Sequence, residues 1–286
     1  MDTTQLSPDA LIAGIERKSR RHESPCGTGV MVWREWGRGP PMLLLHGAHG
    51  AWTHFVRNVE VLSAHRRVIA PDMPGYGDSD ILGGPETGEA YAETLATGLR
   101  ELVGAEPVDV VGFSTGAVVA GYLCAHAPAM VRRLVVIDAG GLDTPMPPPV
   151  LMSLRGLEGE ALRAGLKANL LAIMLHSPDS VDELALHLQA TNPRRARGKA
   201  HELVLPDGLC KILPRVTAQI DAIWGVHDRP HPDLPLHQSV LRRFDAGCEM
   251  RAVPDAGHWS MFENAAGFNA ALLDLLDQPL RASSSR

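Results

Sequence analysis

No stretch of the chain approaches the roughly 18 uninterrupted apolar residues that a membrane-crossing helix needs, and the N-terminus carries Asp2 and Asp9 without the apolar core of a secretory leader. Neither a membrane span nor a signal peptide is expected. Cysteine is scarce: Cys26, Cys124, Cys210 and Cys248 stand far apart, with no C-x-x-C spacing to suggest a zinc site or a dense disulfide framework. A reducing, cytoplasmic setting fits. Blocks of one charge are also missing. The 27 Lys and Arg against 33 Asp and Glu give a formal net charge of -6 spread along the chain, so neither nucleic acid nor an anionic membrane is indicated as a partner. With no dinucleotide fingerprint and no metal-ligand spacing, no cofactor and no metal are expected. What remains is a small-molecule partner, with a homo-oligomer left open.

The chain has ample material for a fold. Its 286 residues, 45% of them hydrophobic, suffice for one sizeable domain or for a core domain carrying an inserted lobe. Short apolar runs at residues 42–45, 67–70, 108–111, 134–137, 220–224 and 249–253 read as core strands with helical stretches between them. That alternation predicts an α/β fold, a mainly parallel sheet with helices on both faces. Most of the runs end in Gly, His, Asp or Pro, where ligand-facing loops normally begin. Upstream, Gly29–Trp36 alternates as an antiparallel ribbon does, and a helix is predicted from Pro8 to about Arg20 with Ser7 as N-cap. The residues from Arg281 onward read as a frayed polar tail.

Between Asp138 and Ile220 the pattern changes, because Pro145, Pro147, Pro148 and Pro149 break the chain and purely helical periodicity follows. Leu162, Leu166, Leu170 and Met174 recur every four residues. Val181, Leu184, Ala185 and Leu188 repeat at helical spacing after a Ser177-Pro178 start signal. Residues 145–214 are therefore a candidate lid inserted into a core of residues 1–144 and 215–286. Most of these apolar stripes are expected to pack on the core; Leu170, Met174 and Leu188 are candidates to line a pocket.

Chemistry enters at Gly112-Phe113-Ser114-Thr115-Gly116, directly after a predicted strand and before a helix-compatible run. In that context G-x-S-x-G is a nucleophile elbow, a turn so sharp that a side chain at either flanking position would collide, with the serine hydroxyl held proud of the sheet. The helix that follows sets its positive dipole end beside any developing negative charge. A serine hydroxyl needs a base within reach and a third group to orient that base. Among 13 histidines, His258 lies in the loop after the last predicted strand and completes the chain order Ser, acid, His. His176, His187, His201, His231 and His237 read as surface residues. For the acid, Asp228 ends the preceding strand and Asp138, one strand earlier, is its rival; Asp255 sits in a turn sequence. The Gly-rich turn His46-Gly47-Ala48-His49-Gly50 can aim a backbone N–H at a substrate oxyanion, making Ala48 and Thr115 the expected donor pair. His46 would brace that turn, and His49 reads equally well as a pocket residue or a solvent-exposed one. Phe113 and Trp259, beside the nucleophile and the base, are candidate substrate contacts.

Together these elements resemble the α/β-hydrolase family across residues 29–276. The resemblance rests on His46-Gly47, on Asp72-Met73-Pro74-Gly75-Tyr76-Gly77-Asp78-Ser79, on the elbow at Ser114, on Trp224 to Asp228 and on Gly257-His258. It implies an eight-stranded, mostly parallel sheet, a helical cap inserted after the sixth strand, and an Asp-x-Pro-Gly segment that braces the loops around the site. Haloalkane dehalogenases and epoxide hydrolases of this fold carry aspartate where this chain has Ser114, so hydrolysis of a carboxylic ester is the leading expectation. The alternative is hydrolysis of a carbon–carbon bond in ring-cleavage products of aromatic catabolism. To that subfamily, His258-Trp259 and Trp52-Thr53-His54-Phe55-Val56-Arg57-Asn58 are similar. The chain departs from it at Phe113-Ser114-Thr115-Gly116-Ala117, where the subfamily has Asn-Ser-Met-Gly-Gly, and at Gln189-Ala190-Thr191-Asn192, where it places an arginine. The fold also hosts cofactor-free peroxidases, hydroxynitrile lyases and hormone receptors, so fold alone names no substrate.

Overall fold

In the computed structural model, which describes residues 6–281, the apolar runs form one eight-stranded sheet. Its strands are β1 (Arg20–Cys26), β2 (Gly29–Trp36), β3 (Pro41–Leu45), β4 (Arg67–Pro71), β5 (Val108–Phe113), β6 (Val131–Ile137), β7 (Gln219–Gly225) and β8 (Met250–Val253). They lie in the order β1-β2-β4-β3-β5-β6-β7-β8. Pairing is antiparallel among β1, β2 and β4 and parallel from β4 onward. Parallel neighbours need crossovers, and helices supply them. The helices are, in chain order, α1 (Pro8–Glu16), which precedes the sheet, α2 (Val59–Ser63), α3 (Gly88–Val103), α4 (Thr115–His126), α5 (Gly159–Asn169), α6 (Glu183–Thr191), α7 (Gly208–Ile212), α8 (Leu234–Arg242), and α9 (Ser260–Glu263) and α10 (Ala265–Asp277), which follow it.

The central strands are continuous apolar runs because both faces are covered. Successive residues serve opposite sides: Val110, Leu134, Val136 and Ala222 enter one core, while Val111, Val135, Ile137 and Ile223 enter the other. The helix behind the elbow, α4, is buried on nearly all sides, which fixes the serine turn rigidly at the centre of the molecule. No described helix is long and apolar enough to cross a membrane.

Several boundaries differ from expectation. The first helix stops at Glu16, and the chain enters β1 at Arg20. That strand is a sheet edge paired on one side only and mostly exposed, so its sequence, rich in polar residues and interrupted by Pro25, shows no apolar alternation. Arg281 is not frayed: its backbone N–H donates to Gln219, and its guanidinium pairs with Asp221 and Asp245; residues 282–286 of the predicted tail lie outside the described residues. Between β6 and β7 the described chain holds helices and turns only. There α5 runs into a π-helical turn, Leu170–Met174, closed by the Leu175 N–H to the Leu170 carbonyl at 2.9 Å. Ser177 caps only a short 3-10 turn, and the true N-cap of α6 is Asp182, whose carboxylate accepts the Ala185 N–H at 2.8 Å.

Candidate active site

The elbow joins β5 to α4 with Ser114 at φ 51°, a left-handed conformation costly for a residue with a side chain. Neighbouring glycines make the turn feasible. A Cβ on Gly112 would meet the Gly116 carbonyl oxygen at 2.5 Å, and one on Gly116 would strike the carbonyls of Leu45 and His46 on the adjacent strand end. The half-buried Ser114 hydroxyl lies 3.1 Å from His258 Nε2, and His258 Nδ1 lies 3.1 Å from Asp228 Oδ2. These three residues come from the ends of β5, β7 and β8. Because a carboxylate only accepts, His258 carries its proton on Nδ1 and turns a bare Nε2 to the hydroxyl. Such a chain can draw the proton from the serine as its oxygen attacks.

Asp138, the rival acid, does not touch His258. It sits at φ 43°, fully buried; its Oδ1 accepts the Gly225 N–H at 2.7 Å and its Oδ2 the Ser260 hydroxyl at 2.6 Å. Burial, and then the Asp228 carboxylate beside it, push the Asp138 carboxyl well above the usual carboxylate range. Burial alone would raise Asp228 too. There the electrostatic pull of the adjacent His258 ring and hydrogen bonds from His231 and His258 outweigh it and hold the carboxyl below its usual range. Of the histidines expected at the surface, His201 is exposed and His176 and His187 are half-buried, but His231 and His237 are buried at 5% and 1% exposure. The reason is local: His231 turns back onto Asp228, and His237 lies on the inner face of α8 stacked on Trp224. Asp228, His231 and His258 bring one ligand atom each within 4.8 Å, a donor set that could hold a metal ion; the Nδ1 atoms of both rings are engaged with the carboxylate.

On the other side of Ser114, the turn from Gly47 to Gly50 is gripped at both ends of one residue. His46 Nδ1 donates to the Gly47 carbonyl at 2.8 Å, and the Gly47 N–H donates to His54 Nδ1 at 3.2 Å. The Met73 N–H donates to His46 Nε2 at 3.0 Å, so His46 braces the turn as expected. Asp72 ties the loops further: it accepts the Trp52 N–H at 2.9 Å, the Asp78 N–H at 3.0 Å and a buried ion pair from Arg34 at 2.9 Å. Ala48 lines the cavity in front of Ser114, and Thr115 opens α4, where no preceding turn offers its N–H a partner. Glu263 fastens the His258 loop to the segment that follows the π-turn, its carboxylate accepting the N–H groups of Gly257, His176 and Ser177 at 2.7 to 3.0 Å.

The cavity has a volume of about 280 Å³. Ala48, His49, Phe113, Ser114, Met174, Leu188, His258 and Trp259 line it, which places His49 on the pocket side. Leu170 does not. It is fully buried in the apolar core, continuing the stripe of Leu166, while the residue that the π-turn adds to the helical repeat brings Ile173 and Met174 to the cavity beside Asn169. Sequence reasoning also missed His54, Leu151, Gln189, Asn192 and Pro193. Burial pushes the His54 imidazole well below its ordinary range, helped by the imidazoles of His46, His258 and His49, and lowers His49 as well. Among the described residues, the lining contains no Lys, Arg, Asp or Glu.

This chain is 30% identical to a 2-hydroxy-6-oxononadienedioate/2-hydroxy-6-oxononatrienedioate hydrolase from a Pseudomonas species, over 89% of this chain and 91% of that one. The fold is shared with a meta-cleavage product hydrolase from Pseudomonas fluorescens IP01, at a TM-score of 0.72 and 18% identity over 90% of this chain and 97% of the other. It is shared equally with an esterase from Thermogutta terrifontis, at 0.69 and 20% over 90% and 98%. Residues 42–271, from β3 into α10, match the sequence pattern of the alpha/beta hydrolase family, and since that span contains the elbow, both acids and the histidine, the chain belongs to this family.

Proposed function

We propose that the chain hydrolyses small to medium, uncharged carboxylic esters through an acyl-enzyme on Ser114. The observation that carries this reading is the neutrality of the cavity: among the described residues no Lys, Arg, Asp or Glu lines it, and its two further imidazoles, His49 and His54, are biased to the uncharged form. A substrate carboxylate would lose its hydration there without gaining a counter-ion, at a cost of several kcal/mol. In the reaction, His258 Nε2 takes the Ser114 proton as Oγ attacks the acyl carbon, and the oxyanion that forms is met by the N–H groups of Ala48 and Thr115. His258 then gives the proton to the departing alcohol, and water repeats the sequence on the acyl-enzyme. Asp228 holds the imidazole in its tautomer and stabilises the imidazolium. Residues 145–214 act as a cap that supplies Met174 and Leu188 to the acyl chain, while Phe113 and Trp259 close the core side. No cofactor is needed.

A second reading follows from the Pseudomonas relative, whose name assigns it an oxo-dienedioate substrate and thus carbon–carbon bond hydrolysis. The two readings differ in charge, since a dienedioate brings two carboxylates into the cavity. Measuring kcat/KM for 4-nitrophenyl esters of graded chain length beside vinylogous diketones with and without carboxylates separates them. Neutral esters are expected to be turned over best; a dienedioate hydrolysed faster than every ester would overturn the ester reading in favour of the second.

A further inference from the structure

Asp228 is not held by His258 alone. Its Oδ2 lies 3.1 Å from His258 Nδ1 and 3.3 Å from His231 Nδ1, and its Oδ1 accepts the backbone N–H of His231 at 3.2 Å. The loop between β7 and α8 thus doubles back to set a second imidazole on the same carboxylate oxygen. The His231 ring is buried, tilted against the His258 ring with centroids 5.3 Å apart and edge-on to Trp224 and His237. Its Nε2 is buried without a protein partner. Since a carboxylate can only accept, the ring proton sits on Nδ1 and Nε2 stays bare. Burial lowers the proton affinity of this ring despite the adjacent carboxylate, so it serves Asp228 as a neutral donor.

We infer that His231 is a positioning residue of this site, a second imidazole on the triad acid, so that the working unit is the chain Ser114–His258–Asp228–His231. This rests on the reading of Ser114, His258 and Asp228 as the triad. Two physical consequences follow. Hydrogen bonds to both oxygens lock the Asp228 rotamer, and with it the plane of the His258 ring. The His231 N–H also takes up part of the negative charge on Oδ2, so Asp228 draws less strongly on the proton that His258 must pass on. The titratable groups facing His231 are Asp228, His258 and His237, with Asp138 behind Asp228 and Asp233 at the start of α8. Without the His231 donor, Asp228 pulls harder on an imidazolium at His258 and competes less well against the proton on Asp138. Both changes move the acid limb of the reaction to higher pH.

The test is the pH dependence of kcat/KM on one ester for the unaltered chain, Ser114→Ala, His231→Phe, His231→Ala and His231→Asn, each with its melting temperature. Ser114→Ala should be inactive. In the Phe and Ala variants the acid limb should rise by about one pH unit, so that kcat/KM below the limb falls about tenfold further than it does on the plateau. His231→Asn, whose amide N–H can stand where ring Nδ1–H stood, should return the limb to its original position. Lower melting temperatures with limbs that superimpose on the unaltered chain would make His231 structural only and overturn the inference, as would an Asn variant shifted as far as Phe and Ala. If Ser114→Ala turns over normally, the triad reading fails on its own arm and the inference with it. An inactive Ser114→Ala beside unshifted His231 variants removes the inference alone.

Discussion

Asp138 and Asp228 end two adjacent parallel strands with their carboxyl groups side by side, and their surroundings drive them in opposite directions: Asp138 towards the protonated form, Asp228 towards the ionised one. Two like charges so close in a buried site cannot both be tolerated. The division of labour is set by partners. Asp228 receives three N–H groups from two histidines, whereas Asp138 receives the Gly225 amide and the Ser260 hydroxyl. Asp228→Asn should therefore lower turnover by roughly 10³ to 10⁴ with the fold intact, as happens when a triad acid loses its charge. Asp138→Asn should leave turnover within a few-fold, since the amide resembles the protonated acid it replaces. Steady-state kinetics on one ester decides this, and a severe Asp138→Asn beside an active Asp228→Asn would move the acid by one strand.

The same pair predicts how stability responds to pH. A carboxyl whose folded-state proton affinity is raised binds more protons folded than unfolded in the window above its unfolded value, about pH 4, so its contribution to stability falls as pH rises through that window. Removing the ionisable group at Asp138 abolishes the fall. The melting temperature of Asp138→Asn relative to the unaltered chain should thus climb from pH 4 towards neutrality. Asp228, whose value is depressed, contributes stability above about pH 4 that is lost on acidification, so the deficit of Asp228→Asn should be largest near neutrality and shrink as the pH falls. Parallel pH profiles for the two variants would contradict the opposite assignments.

Much of the sheet and of the candidate site was readable because single residues announce them. Glycines at 112 and 116 mark the elbow, and Asp228 and His258 follow strand ends in the order the chemistry requires. What stayed hidden depends on contacts rather than on local pattern. The β1 strand is a polar edge with no alternation to detect. His54 is caught by the Gly47 amide across a turn, a pairing with no periodic signature. His237 did carry a signal, since with Val240 and Leu241 it forms the buried stripe of α8. His231, in a loop three residues after Asp228, carried none.

The π-turn at Leu170–Met174 separates Leu170 from Met174, which helical spacing groups on one stripe. Leu188 lies on the cavity wall, as does Met174, whereas Leu170 packs wholly within the apolar core. If the cap residues contact the acyl chain, Met174→Ala and Leu188→Ala remove contacts that only a long substrate makes. Both should then lower kcat/KM for long esters several-fold more than for the shortest. Leu170→Ala removes no such contact and leaves a cavity in the core, so it should cost roughly 2 to 5 kcal/mol of stability while keeping the chain-length profile of the unaltered chain. Chemical denaturation together with a series of 4-nitrophenyl esters measures both quantities on the same three variants. A changed chain-length profile in Leu170→Ala with stability retained would mean that Leu170 reaches the substrate, and that the π-turn does not set the pocket wall.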